Sequence, residues 1–353
     1  MSDEAQAPPP RANPDLVGHE AAEMALKHLV DGGRLPHALL LSGPRGIGKA
    51  TLAFRLARYV LWRGGEGAGL DMFGAPAETG LPGLAISPES GVFRRVAAGG
   101  HADMLTVERA FDPRRKRLRS EIVVDDVREI GAFLHLTAAE GGWRVVIVDG
   151  ADAMNRNAGN ALLKILEEPP RRALLVLVAH SPGKLLPTIR SRCRQMKLAP
   201  LLDADLRVLL ARYCPGLGED GAARVADLAE GSIGRTLELA GSGGVELYRT
   251  MLGMLARRPG IDPLALHGFA DRLARAEAED AYRALEDLLR HHLARLATAA
   301  ARTGERGAAA RWARLRDDIA NDFARADGLN LDRKQTILSA FFAIDRAGAA
   351  DAR

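Results

Sequence analysis

Two cysteines, Cys193 and Cys214, are all that 353 residues contain. So few exclude a disulfide framework and a four-thiolate zinc site, and they suit a reducing compartment such as the cytoplasm. Long apolar runs are lacking too: none approaches the ~18 residues that a membrane span requires, so no membrane partner is expected. The segment 1–14 is acidic and proline-rich with no apolar centre. It does not read as a secretion signal and is expected to be disordered. The nine histidines, among them His101, His135 and the pair His291-His292, show no metal-ligand spacing with cysteine or carboxylate. No metal site is therefore expected. The net charge of +4 permits nucleic acid nearby without demonstrating it.

What is present begins with Gly43-Pro44-Arg45-Gly46-Ile47-Gly48-Lys49-Ala50-Thr51. The pattern Gly-x4-Gly-Lys is that of a phosphate-binding loop. Its glycines let backbone N–H groups converge on phosphate oxygens, and Lys49 neutralises the terminal phosphates. The next position ordinarily carries a Ser or Thr whose hydroxyl holds Mg²⁺; here it is Ala50. The apolar run 37–42 before the loop has strand length. Leu52, Leu56, Tyr59 and Val60 after it have helical spacing. Strand, glycine loop and helix are the context this motif requires.

A hydrophobic content of 47% supports real cores, and the length suggests two or three domains. A short helix is expected around Glu20–Leu29. The stretch 63–102 is rich in Gly, Pro, Ala and Ser and reads as an insertion or long loop. Ile122-Val123-Val124 reads as extended, followed by a helix over 125–136. Arg144–Asp149 and Leu174–Ala179 are buried strands, separated by a helix over 157–168 that Pro169-Pro170 stops. Apolar strands alternating with helices imply a parallel sheet covered on both faces. Beyond Pro200 strand signals vanish. The expected layout is an α/β core over 15–200, a small helical lid over 201–240, a Gly-rich hinge at 241–244, and an all-helical domain over 245–353.

Asp149 ends the strand 145–148, where this kind of fold places its Mg²⁺-associated carboxylate. Taken alone it is also a plain strand-end turn former. ATPases of the AAA+ class have a glutamate next, which polarises the attacking water. Here the position is Gly150, and glycine cannot act as a base. With Ala50, two catalytic parts are missing from one reaction centre, so hydrolysis does not read as this chain's task. A hydrolysing alternative needs Thr51 for the missing hydroxyl and Asp152 as base, yet one helical residue onward turns a side chain by about 100°. Arg192, in Ser191-Arg192-Cys193, can serve as an arginine finger on a neighbouring subunit, although a loop arginine alone is ordinarily a solvated charge. Arg235, in Gly231-Ser232-Ile233-Gly234-Arg235, reads either as a phosphate ligand or as a helix-start residue capped by Ser232. The run Pro113–Arg119 is the strongest concentration of charge. With no interleaved aromatics it reads as a solvated loop or hairpin before a nucleic-acid contact.

Taken together, His37–Leu40, Gly43–Lys49, Trp143–Asp149, Asn160–Pro170 and Ser191-Arg192-Cys193 occur in the order found in bacterial clamp-loader AAA+ subunits, and the chain resembles that family over roughly residues 15–240. Beyond that only helical composition is shared. The resemblance implies an AAA+ P-loop core, a helical lid and a C-terminal helical collar. It implies ATP or ADP held by Gly43–Thr51, Asp149 and Arg235. It also implies that Arg192 completes a neighbour's ATP site, and that the partners are gamma/tau and delta subunits in a five-membered ring that places a sliding clamp on primed DNA. Many members carry a four-cysteine zinc module after the first helix. The stretch 63–102 has no cysteine, so no zinc is expected. Hydrolysing members have Thr and Glu where this chain has Ala50 and Gly150, which favours weak nucleotide binding without turnover.

Overall fold

The computed structural model describes residues 7–65, 81–112, 117–140, 142–215, 226, 231–241, 244–329 and 331–351. These residues group into two compact units. The first contains the sheet and runs through Tyr213, with 231–235 added; the second is helical.

The first unit begins with α1 (Glu20–Asp31), β1 (Ala38–Ser42) and α2 (Lys49–Gly64), then α3 (Gly91–Ala97) and β2 (Met104–Val107). A small ribbon follows, β3 (Phe111–Asp112) with β4 (Arg117–Leu118), then α4 (Val124–His135) and β5 (Arg144–Asp149). The rest is α5 (Arg156–Glu167), β6 (Ala173–Ala179), α6 (Pro187–Arg192), β7 (Arg194–Lys197) and α7 (Asp203–Tyr213). Five strands form one sheet in the order β2-β5-β6-β1-β7, each pair parallel.

Alternation along each central strand explains why the sheet is covered twice. Leu39 and Leu41 of β1, Val145 and Ile147 of β5, and Leu174, Val176 and Val178 of β6 share one core with α1, α2 and α3. Ala38 and Leu40, Val146 and Val148, and Leu175 and Leu177 share the other with α4, α5 and α6. Successive side chains point to opposite faces, so an unbroken apolar strand demands helices on both sides. The edge strand β7 has the sequence Arg-Gln-Met-Lys and is largely exposed, so it gives no apolar run to read. Together with β2 it adds two strands to those that the sequence signals.

Two stretches are more ordered than their composition suggests. Within 63–102, α3 forms with Ser90 as its cap, the Ser90 hydroxyl accepting the Phe93 N–H at 3.1 Å. Leu84, Ile86, Val92, Phe93 and Val96 enter the core. A periodicity of one short helix is lost in the surrounding Gly and Pro, and 66–80 lie outside the described residues. Residues 7–14 of the expected tail are held by arginines of α2. Arg58, 1% exposed, donates to the Arg11 carbonyl at 2.9 Å and to the Asn13 carbonyl at 2.8 Å. Arg55 donates to the Pro14 carbonyl and pairs with buried Glu23. A guanidinium satisfies several carbonyls at once, so a polar segment gains order without an apolar stripe. Residues 1–6 lie outside the described residues, as do 113–116 of the charge run and 242–243 of the expected hinge.

The second unit is built from α8 (Ile233–Gly241, whose first turn belongs to the sheet unit), α9 (Gly244–Leu255), α10 (Pro263–Leu273), α11 (Glu279–Arg302), α12 (Arg306–Leu329) and α13 (Arg333–Asp351). Its core contains Tyr282 stacked on Phe323, Phe269 edge-on to Phe341, and the leucines of α11. Among the described residues no helix is long and apolar enough to cross a membrane.

Arg58 also lies over the Phe93 ring, 4.5 Å from its centroid, and burial lowers its pKa to about 10. Arg58→Ala is expected to cost about 1.5–3 kcal/mol, the range for hydrogen bonds to a charged group, and to open 7–14 to proteolysis. Chemical denaturation alongside limited proteolysis checks both effects.

Candidate nucleotide-binding site

The strand pairing places the site's parts side by side. Ser42 is opposite Ala179, and Asp149 is opposite Val178. The loop after β1, the end of β5 and the turn after β6 therefore meet at the carboxyl edge of the sheet, where open α/β sheets bind ligands.

The phosphate loop is fixed through its carbonyls. Lys49 Nζ donates to the Pro44 carbonyl, and the Ser232 hydroxyl donates to the Arg45 carbonyl at 2.8 Å. The Gly234 N–H donates to the Gly46 carbonyl at 2.9 Å, and His19 Nε2 contacts the Ile47 carbonyl at 2.6 Å. The successive carbonyls of Pro44 to Ile47 thus all have partners within the chain, which leaves the loop's backbone N–H groups for an anion. Gly43, Gly46 and Gly48 have φ of 150°, 77° and 97°, the left-handed side that favours glycine. A Cβ on Gly46 would lie 2.3 Å from Ser232 Oγ and 3.1 Å from the Gly234 Cα, so the two glycines allow chain 231–235 to seat on the loop.

Lys49 is only 3% exposed. Burial pulls its pKa down to about 8, against the opposing pull of the Asp149 and Asp152 carboxylates. Asp149 is shifted upward by burial first and by Glu108 second. His180 is shifted downward, mainly by burial and then by Lys49. A buried cation whose countercharges lie around it fits a phosphate chain, because phosphate oxygens supply the missing solvation.

Of the residues singled out in the sequence, Gly43–Thr51 and Asp149 come together here, and Arg235 follows directly on the Gly234 contact. The Arg235 N–H is accepted by the Ser232 hydroxyl at 3.2 Å, so the cap exists alongside the contact to the loop. Asp152, weighed as a base, accepts the His180 N–H at 3.0 Å on one oxygen and the Ser181 N–H at 2.9 Å on the other. It clamps the end of β6 to the end of β5. Gly150 has φ of 75° and nothing within 4 Å of a Cβ. Arg192 stands apart, pairing with Glu167 at 2.8 Å and donating to the Thr188 carbonyl at 3.1 Å. Cys193 is buried and its thiol is pushed up to about 11, which suits packing and not nucleophilic chemistry. Among the described residues no group of His, Cys, Asp and Glu has metal-binding geometry. Sequence reading missed His19, Ser232 as a ligand of the loop, and Glu167. Only the small residues of Gly231–Gly234 signalled a close backbone approach.

The parallel sheet order, with the glycine loop between β1 and α2, defines a P-loop α/β fold. Residues 85–202 match the family described as DNA polymerase III, delta subunit. The chain is 38% identical over 215 residues to the DNA polymerase III subunit delta' of Pseudomonas aeruginosa, covering 60% of this chain and 58% of that protein. It is 32% identical over 291 residues to the gamma/tau subunit of Mycobacterium bovis, covering 79% of this chain and 46% of that one. The chain thus spans about half the length of the curated relatives it matches. A gamma subunit-related protein of Thermotoga maritima superposes with a TM-score of 0.45 at 18% identity, covering 92% of this chain and 99% of that one. The likeness to clamp-loader subunits seen in the sequence motifs is borne out by the family match and by the delta' and gamma/tau relatives.

Gly46→Ala and Gly150→Ala separate crowding from conformation. Both place a side chain at positive φ, at roughly 1–2 kcal/mol, but only Gly46 adds an overlap, worth about 1–3 kcal/mol more. Thermal unfolding should show the larger loss for Gly46→Ala.

Proposed function

We propose that this chain is a delta-prime-type clamp-loader subunit that holds nucleotide weakly, turns it over negligibly, and donates Arg192 to an ATPase neighbour. One observation carries the reading: the phosphate cradle is assembled, while Ala50 offers no hydroxyl and Gly150 no carboxylate. Gly43–Lys49 would hold the phosphates, with Lys49 as their counter-cation. Asp149 would face any accompanying Mg²⁺, which supplies charge neutralisation at the phosphates when bound. The delta' relative, and a family match that spans Asp149 and the Ser-Arg-Cys block, support the same reading. The gamma/tau-type motor is the alternative. Against it, both oxygens of Asp152 are engaged with backbone N–H groups, so the candidate base serves as a clamp.

Arg192 is suited to trading partners. Its side chain is 38% exposed and that of Glu167 is 50% exposed. Exposed pairs of this kind contribute about 0–1 kcal/mol. A phosphate of a neighbouring subunit therefore competes well for the guanidinium. In this reading the neighbours are gamma/tau and delta subunits, and the assembly acts on a clamp and primed DNA.

The isolated chain should show negligible ATPase. Turnover at the level of a hydrolysing subunit, abolished by Lys49→Ala, would overturn the proposal. Arg192→Ala should leave the melting temperature nearly unchanged and lower the ATPase of a reconstituted assembly. The loss should fall below the ~10³–10⁵ of a lone finger site, because other sites keep theirs. A lowered melting point with undiminished ATPase would reduce Arg192 to a local ion pair.

Nucleotide affinity should depend on pH through Lys49. Phosphate binding favours the protonated amine, so affinity is complete below pH 8 and declines as pH rises through about 8, with proton uptake on binding. Titrations with a fluorescent ATP analogue at pH 7.5 and 9 check the sign, and Lys49→Arg should flatten the profile.

A further inference from the structure

The carboxyl end of β2 borders the nucleotide site on the flank opposite the phosphate loop. Val107 is paired with Val148, and β5 runs one residue further, to Asp149. The parallel register therefore brings Glu108 beside Asp149, and Arg109 follows toward Gly150. The electrostatics agree with this placement. Asp149 has its pKa raised by burial first and by Glu108 second. His180, just past the end of β6, has its pKa lowered by burial and then by Lys49; Asp152 opposes them, and Arg45 and Arg109 add to the lowering.

Sheet order decides which phosphate Arg109 can meet. The strands run β2-β5-β6-β1, and the phosphate loop follows β1. At about 4.8 Å per strand, the end of β2 is about 10 Å from that of β6 and about 14 Å from that of β1. Lys49, the counter-cation of the terminal phosphates, feels the Asp149 and Asp152 carboxylates. A phosphate chain seated on the loop thus points its terminal group toward β6 and β5, the β2 side. The space on that side is open, because a Cβ on Gly150 would have nothing within 4 Å. Arg109 is exposed, and among the described residues it makes no hydrogen bond or ion pair.

We propose that Arg109 binds the terminal phosphate of this chain's own nucleoside triphosphate, so that the site takes a triphosphate in preference to a diphosphate. The proposal rests on the reading that Gly43–Lys49 hold nucleotide. Glu108 and Asp149 repel a terminal phosphate, and with Ala50 the metal that would screen them has lost a ligand. A guanidinium from the same strand end offsets that repulsion and can pair with two phosphate oxygens at once. A diphosphate ends short of the side chain and gains nothing from it. Where a hydrolysing site presents a base at position 150, this one presents a cation from the next strand, which holds the triphosphate without activating water.

Displacement of a fluorescent ATP analogue from the full chain by unlabelled ATP or ADP, in Mg²⁺ and again in EDTA, provides the test. The parent is expected to prefer ATP. Arg109→Ala should weaken ATP about tenfold, the lower end of the range for hydrogen bonds to a charged group, and leave ADP unchanged. Arg109→Gln, which keeps much of the stem, should do the same. Lys49→Ala should weaken both nucleotides, which marks the cradle itself. Arg109 is exposed, so unchanged melting temperatures are expected and confirm folding. Equal affinity of the parent for ATP and ADP, or Arg109 variants in which the two affinities fall together or stay as in the parent, would overturn the assignment and leave the cradle reading standing. A parent chain that binds neither nucleotide would overturn both.

Discussion

The phosphate loop holds its shape because other parts of the chain use up its carbonyl groups. A loop that exposes N–H groups to one side must turn its C=O groups to the other, and those groups need donors. Here the donors come from the loop's own lysine, from chain 231–235, and from His19 ahead of α1. The arrangement couples segments far apart in sequence. A disturbance at Ser232 or His19 is felt by the phosphates' cradle before it is felt by any core.

Around that loop the sheet supplies rigidity and the surrounding polar groups supply alignment. The Asp152 clamp joins the ends of β5 and β6 through two backbone hydrogen bonds, so the turn at His180-Ser181 is set relative to Asp149. The buried arginines of α2 do comparable work on the opposite side of the chain's beginning. They fasten 9–14 over the helix, and the Asn13 side chain donates to the Tyr213 hydroxyl of α7 at 3.2 Å. The path from there to His19 is short, so order in this polar segment supports the position of a loop ligand.

The central fold was legible because β1, β5 and β6 are apolar on both faces and the glycine loop follows the first of them. The edge strands were not. In β7, Arg194, Gln195 and Lys197 are exposed and only Met196 packs on the core, while β2 is four residues long, too short to stand out as an apolar run. The helix at 91–97 was masked by its Gly- and Pro-rich surroundings. At the site, residue types revealed the loop and Asp149. They did not reveal that Asp152 is a clamp, that Ser232 serves both helix and loop, or that Glu167 holds Arg192, because each depends on pairing across elements.

Gly150 sets a limit on what can stand at its position. Its backbone lies at φ 75°, a conformation that an L side chain occupies only with strain. A glutamate placed at 150 would meet the cost of about 1–2 kcal/mol that any L side chain meets at that φ, and would leave the backbone in a direction set for glycine. Relieving that strain by a swing to negative φ would shift the start of 151–153 and the Asp152 contacts. A carboxylate placed at 150 is thus tied to the shape of a backbone turn that Asp152 holds from the other side.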